Sequence, residues 1–269
     1  MNRADFAVVF SVRCANPNGD PLDENRPRMW NNSLGWVSQY CIKRKIRNCL
    51  ANLGYPIYIQ TDDDITDGCK GTDERLAKLI KEVGGNKDQE AIKQAACAKW
   101  IDVRLFGQVF ATSNFTSHVT GPVTIGEAFS VEPVDIVAIK MTKSASKDAS
   151  AERKSGDTFG GMKYVVDKGT YVAYGNINGR LAEKTGCSEE DVAVLRSVLP
   201  KLFADDVSTA RPAGSMWVDN VVWWQHTSID GHGGSPVRIC NTLQVNPTDG
   251  TVACRDLAGG PVPEVILGF

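Results

Sequence analysis

Hydrophobic positions along the chain repeat with two different periods, and the switches between them outline the fold. Phe6, Val8, Phe10 and Val12 alternate with Ala7, Val9 and Ser11, a period of two that predicts a strand over residues 5–13 with at least one buried face. Ile42, Ile46, Cys49, Leu50 and Leu53 then share one stripe of a helix predicted over 33–53, and Gly54 stands where a helix C-terminus favours glycine. Further strands are predicted over 119–131, 164–177 and 216–225. In the last of these, Trp217, Val221 and Trp223 are assigned to one face, and the tryptophans to the core. Ser188 followed by Glu189, Glu190 and Asp191 places an N-cap hydroxyl before a first turn of acids. Val192, Leu195, Val198 and Leu199 carry that helix to Pro200. The order βαββαβ is that of an α+β, ferredoxin-like sheet with helices on one face. The aromatic strand motif with which RNA-recognition domains of this topology stack bases is absent.

Two stretches interrupt this pattern. Residues 61–90 hold nine acids against five bases, with Gly84-Gly85-Asn86 between two short helical patterns, which predicts an acidic helical insertion. Asp62, Asp63 and Asp64 lack the glycine and glutamate of a calcium loop and read as solvated. Trp100 to Gly107 follows, with Trp100, Val103, Leu105 and Phe106 as core and Asp102 and Arg104 as a structural ion pair or loop clamp. From 140 to 163 the chain turns small and polar, with six bases against three acids. That composition predicts a basic loop or extended hairpin between strands, carrying Lys140, Lys143, Lys147 and Lys163. Phe159 and Met162 near its end either wedge between bases or pin the loop to the core.

Composition narrows the function classes. The 269 residues are 42% hydrophobic and 23% charged, with a formal net charge of −2, so any polyanion site must be local. Eight cysteines without C-x-x-C spacing, and no signal peptide or membrane-length apolar run, predict a reduced cytosolic protein. No cofactor motif is present: there is no P-loop, dinucleotide fingerprint, nucleophile elbow or zinc spacing. The local basic site has two parts. On the first helix Tyr40, Lys43, Arg44 and Arg47 follow i, i+3, i+4, i+7 spacing, a face that is ordinarily just solvated. Ahead of it, the proline-bounded loop Asn16-Pro17-Asn18-Gly19-Asp20-Pro21 leads to Arg26-Pro27-Arg28. Loop and helix together could form a groove for a nucleic-acid backbone, and Arg211 in the turn 208–212 could reach a phosphate.

The motifs Asn16 to Pro21, Asn25 to Arg28 and Ser38-Gln39 ahead of Ile42 to Arg47 resemble the N-terminus of a known family. It is the backbone, CRISPR RNA-binding subunit of the type I surveillance complex Cascade, in the RAMP superfamily, with subtype I-C the nearest variant. Asp102 to Gly107, Gly160 to Val166, Thr185 to Asp191 and Ser208 to Arg211 match the same family in order and spacing. The resemblance implies a palm over residues 1–55 and 119–269, a finger insertion over 56–118 and a thumb β-hairpin over about 130–163. It implies a non-catalytic subunit that polymerises along the guide, flips out bases at intervals and presents the rest for pairing with invading DNA. Its partners would be CRISPR RNA, target DNA through the guide, further copies of itself and other Cascade subunits. The RNA-binding residues would be Arg26, Arg28, Tyr40, Lys43, Arg44, Arg47, Lys140, Lys143, Lys147, Phe159, Met162, Lys163 and Arg211.

An enzyme is the chief alternative. Relatives in type III complexes cut bound RNA with a metal ion held by an aspartate in the loop before the first helix, where this chain has Asp20, Asp23 and Glu24. Asp20, however, sits in a turn where aspartate is expected for local hydrogen bonds alone. A metal-free guide-processing nuclease would need a general base, and His118, His226 and His232 are scattered without evident partners.

Overall fold

The computed structural model describes residues 1–85, 88–112, 115–142 and 159–269. The chain opens on β1 (Ala4–Ala15), in which every residue from Ala4 to Val12 is buried, so both faces of the strand are covered. Short paired segments follow: β2 (Gly19–Asp20) with β3 (Arg26–Pro27), then β4 (Met29–Trp30) with β5 (Leu34–Val37). Helix α1 (Gln39–Asn52) starts six residues later than the apolar periodicity alone suggests. Leu34 to Val37 are drawn into strand pairing, and Ser38 caps the helix by accepting from the Cys41 N–H.

The stretch that follows builds its own apolar cluster. Helices α2 (Thr72–Glu82), α3 (Gln89–Lys99) and α4 (Ile101–Phe106) and the hairpin β6 (Gly107–Thr112)–β7 (Phe115–Thr120) enclose Tyr58, Leu76, Leu79, Ile92, Trp100, Val103, Phe110 and Phe115. Of the acidic residues noted in the sequence, Asp62, Asp63, Asp67, Asp73, Glu74, Glu82, Asp88 and Glu90 are exposed, the first two on a 3-10 turn.

The chain then returns through β8 (Val123–Ile125), β9 (Ala128–Pro133) and β10 (Ile136–Thr142) to β11 (Phe159–Ile177), a 19-residue strand. Helices α5 (Gly179–Thr185) and α6 (Glu189–Val198) follow, the second opening with a capping box between Ser188 and Asp191. Strand β12 (Met216–Gln225), helix α7 (Pro236–Cys240), the pair β13 (Leu243–Val245)–β14 (Val252–Cys254) and β15 (Pro263–Leu267) complete it. The main sheet is wholly antiparallel, in the order β15–β12–β1–β11–β9–β5–β4, with β8 and β10 also paired to β11.

Alternation along β1 divides the core between two faces. Phe6, Val8, Phe10 and Val12 pack with Ile42, Ile46 and Leu50 of α1 and Leu195 and Val198 of α6. Ala7 and Val9 face the other way, against Val222, Trp224 and Ile239 and the residues of β13 and β14. One detail overturns the sequence reading of β12. The pairing with β1 shifts between Val9 and Phe10, so that Asp219 is an extra, bulged residue. Trp223 and Val221 go into the helix-side core, whereas Trp217 comes out on the opposite face and stays 36% exposed.

At the other end of β1 a buried polar knot takes the place of apolar packing. Asp5, fully buried, accepts from Arg3 Nη2 (2.7 Å) and Asn176 Nδ2 (2.5 Å) and contacts His226 Nε2 at 2.7 Å. His226 Nδ1 accepts the His232 N–H at 2.9 Å, which assigns the ring proton to Nε2 and keeps the imidazole neutral. Burial holds its pKa below the ordinary value of 6.5, outweighing the opposite pull of Asp5. The stabilisation from this depressed imidazole is present above the unfolded-state value and is lost as pH falls below it, because the unfolded chain then binds a proton that the fold excludes. Thermal melts are therefore expected to fall between pH 7 and pH 5, and His226→Gln should flatten that dependence; an unchanged slope in the variant would assign the acid sensitivity to other groups.

Candidate nucleic-acid interface

The motif from Asp102 to Gly107 explains most of the basic face of α1. Asp102 is fully buried in the first turn of α4. Its Oδ2 accepts from Arg47 Nε (2.8 Å) and from the Ile59 N–H (3.2 Å), and its Oδ1 accepts the Tyr58 N–H (2.8 Å). The Arg47 side chain is only 12% exposed, and its guanidinium lies 5.3 Å from the centre of the Phe106 ring. Lys43 approaches the same ring at 5.6 Å and donates to Gln39 Oε1 (3.4 Å); burial, and then the neighbouring Arg47, lower its pKa. Arg44 Nη1 donates to the Ile59 carbonyl at 2.7 Å. Arg104, the other charge of the motif, makes a paired contact with both Asp191 carboxylate oxygens at 2.7 Å. Gly107 takes φ +73°, and a Cβ there would strike the backbone of Val119 and Gly121. So Asp102 is both ion pair and loop clamp: it ties α1 to the start of the insertion. Of the predicted face, Tyr40 is 76% exposed, whereas Lys43, Arg44 and Arg47 are half-buried, the two arginines each with a hydrogen bond into the insertion.

The loop before α1 gathers a second set of cations. Asn18 orders it, its Oδ1 accepting the Ser38 N–H (2.9 Å) and its carbonyl accepting the Arg28 N–H (3.0 Å). Arg28 Nε donates to the Gly19 carbonyl (3.3 Å), while the guanidinium pairs with Asp20 (3.5 Å) and lies 5.3 Å from the Trp36 ring. Asp20 Oδ1 accepts the Leu22 N–H (3.1 Å), the local turn expected of it. Asp23 and Glu24 both pair with Arg26, whose guanidinium stacks on Tyr164 at 4.1 Å. Tyr164 accepts from Arg26 Nη2 (3.1 Å) and donates to Glu24 (2.8 Å). Sequence reasoning did not assign Tyr164 to the site; the signal was its place in the Gly160–Val166 motif, next to Lys163 on a predicted strand.

This loop is tied to the root of the β10–β11 ribbon through the 208–211 turn. Lys163 Nζ donates to the Thr209 carbonyl (2.5 Å), the Asn16 N–H donates to the Ala210 carbonyl (2.9 Å), and Arg211 Nη1 donates to the Asn16 carbonyl (3.4 Å). Arg211 also pairs with Asp206 (2.9 Å), an acid shared with the buried Lys45 (2.5 Å). Arg26, Arg28, Lys163 and Arg211 are thus brought together around one loop. Lys140 sits further out on β10, directly opposite Met162, which is 40% exposed. Lys143 and Lys147 lie outside the described residues, as does the side chain of Phe159.

This arrangement gathers four cations around one loop, Arg26 and Arg28 each against an aromatic ring; three of the four pair with carboxylates, which a phosphate contact has to displace. Among the described residues no group of three histidine, cysteine or acidic side chains is placed to hold a metal ion. Likewise, no helix among them is long and apolar enough to cross a membrane.

Comparison with known proteins follows the same lines. A CRISPR-associated protein Cas7 from Haloferax volcanii is 25% identical over 246 residues, covering 80% of this chain and 68% of that protein. A chain of a solved CRISPR RNA-guided surveillance complex, in a pre-nicking state, superposes with a TM-score of 0.52 at 18% identity, over 82% of this chain and 75% of its own. The family model for CRISPR-associated protein Cas7 matches residues 2–258, and the chain belongs to that family.

Proposed function

We propose that the protein is a non-catalytic backbone subunit of a type I surveillance complex: copies of it line a CRISPR RNA, hold its phosphates and leave its bases free to pair with invading DNA. The observation that carries this is the convergence of Arg26, Arg28, Lys163 and Arg211 on a braced loop between α1 and a projecting two-stranded ribbon. Ferredoxin-like topology fits the sheet, since the strands run β12–β1–β11–β9 and α1 and α6 share one face. On this reading the palm is residues 1–55 and 119–269, the finger is 56–118 with its own apolar cluster, and the thumb is 130–163. The wording of residues 16–47 is what supports subtype I-C.

Near-neutral net charge suits such a role, because stacked copies then repel one another little at long range. A few phosphate contacts per copy give modest affinity, and sharing one guide among neighbours multiplies it. Sequence recognition is delegated to base pairing. Asp20, Asp23 and Glu24 are each occupied by an arginine or a local turn, which supports a structural role for the carboxylates of the nuclease alternative. Purified assemblies are expected to carry RNA, seen as a raised absorbance ratio at 260 over 280 nm, and sequencing should return repeat–spacer transcripts. Protein that assembles free of RNA would overturn the reading.

A further inference from the structure

At the end of β1 away from the polar knot, the face of the sheet that carries Ala7 and Val9 ends in two exposed cations that the guide-binding residues leave unused. Arg13 of β1 and Lys168 of β11 are directly opposed in register, so their side chains leave the same face, and both are exposed. Like charges directly opposite one another on neighbouring strands are destabilising. Among the described residues neither cation has an acid within ion-pairing distance. One pair further in, Ser11 stands opposite Thr170 on one side and Trp217 on the other. The bulge at Asp219 has brought that indole out to this face, diagonal to Arg13.

Trp217 is held rather than loose, its Nε1–H donating to Asp219 Oδ1 at 2.7 Å. The other Asp219 oxygen accepts from Ser11 (2.8 Å), and Asp249 in the adjoining turn is occupied by Thr251, so neither nearby acid is spent on the two cations. The turn at 246–250 walls the inner side, with Thr170 donating to the Pro247 carbonyl and Asn220 to the Gly250 carbonyl. Together these make a fixed aromatic plate beside two uncompensated cations at the end of a rigid sheet.

We propose that Arg13, Lys168 and Trp217 form a second nucleic-acid contact, in which the cations take consecutive phosphates of a single strand and the indole stacks on one of its bases. Single strands are held by this combination of stacking and backbone charge, without need of sequence. The strand is either the resident RNA or a separate single strand of DNA; only the first source rests on the guide-binding reading.

The assembly purified with its own RNA tests this. With Trp217 replaced by a photo-crosslinking benzophenone amino acid, irradiation is expected to give an adduct to the resident RNA or, if that strand runs elsewhere, to added oligo(dT); no adduct to either overturns the proposal. Arg13→Gln/Lys168→Gln should lower the log–log salt slope of the captured strand by about 1.4, two contacts at ~0.7 each. The same pair should melt no lower than the parent, because the like-charge opposition is gone. Trp217→Leu should weaken capture of whichever strand crosslinks about tenfold while Trp217→Phe keeps it. An unchanged slope, or Leu and Phe variants that bind alike, would overturn the site. Should no RNA copurify at all, the guide-binding reading fails while the oligo(dT) arm still decides this one.

Discussion

Asp102→Ala is expected to destabilise the protein by about 3–5 kcal/mol, the range for removing one member of a buried ion pair. The loss is larger than for an ordinary pair because three donors depend on that carboxylate: Arg47 Nε, the Tyr58 N–H and the Ile59 N–H. All three would be left in a site that water scarcely reaches, the Arg47 side chain being 12% exposed. For a domain of this size the melting temperature should fall by about 10 °C. The damage should concentrate where the insertion leaves α1, so proteolysis near residues 57–66 should accelerate before the sheet opens. Asp102→Asn, which can still accept from Tyr58, should cost less. A melt of Asp102→Ala within two degrees of the parent would show that Arg47 finds another partner.

Loss of guide is the second large effect expected, from Arg26→Gln/Lys43→Gln/Lys163→Gln. Each single-stranded phosphate contact contributes about 0.7 to the log–log salt slope, so three per copy remove about 2. Since every copy along one guide is altered, the losses multiply, and the RNA should leave at salt concentrations that the parent assembly withstands. These three cations are chosen because none holds the fold through a buried ion pair, as Arg47 does. Arg47→Gln should instead lower the melting temperature, and any loss of RNA should track that unfolding. Guide retention unchanged in the triple variant would place the phosphate path elsewhere on the surface.

How much of this was legible in the sequence depends on how local the cause is. Period-two alternation located β1, β11 and β12, and the Ser188–Asp191 capping box located α6, because each is decided within a few residues. The start of α1 was misplaced because Leu34 to Val37 are claimed by β9, about a hundred residues on. Trp217 was put on the wrong face because a one-residue bulge is a property of two strands, invisible in one. The cations of the candidate site show the same divide. Spacing put Lys43, Arg44 and Arg47 on a shared helical face, but the bonds of Arg47 to Asp102 and of Arg44 to the Ile59 carbonyl join that face to the insertion and cannot be read from one helix. Arg13 and Lys168, lone charges in their own segments, acquire meaning only from cross-strand register.

The length of β11 has a mechanical consequence. At about 3.3 Å per residue its 19 residues run some 60 Å, the inner part paired to β1 and the outer part to β10 without a break in the chain. The outer part is therefore the continuation of a strand clamped in the middle of the main sheet. Bending of the outer part is passed directly to the ladder of β1 and β11, with no loop between them to absorb it.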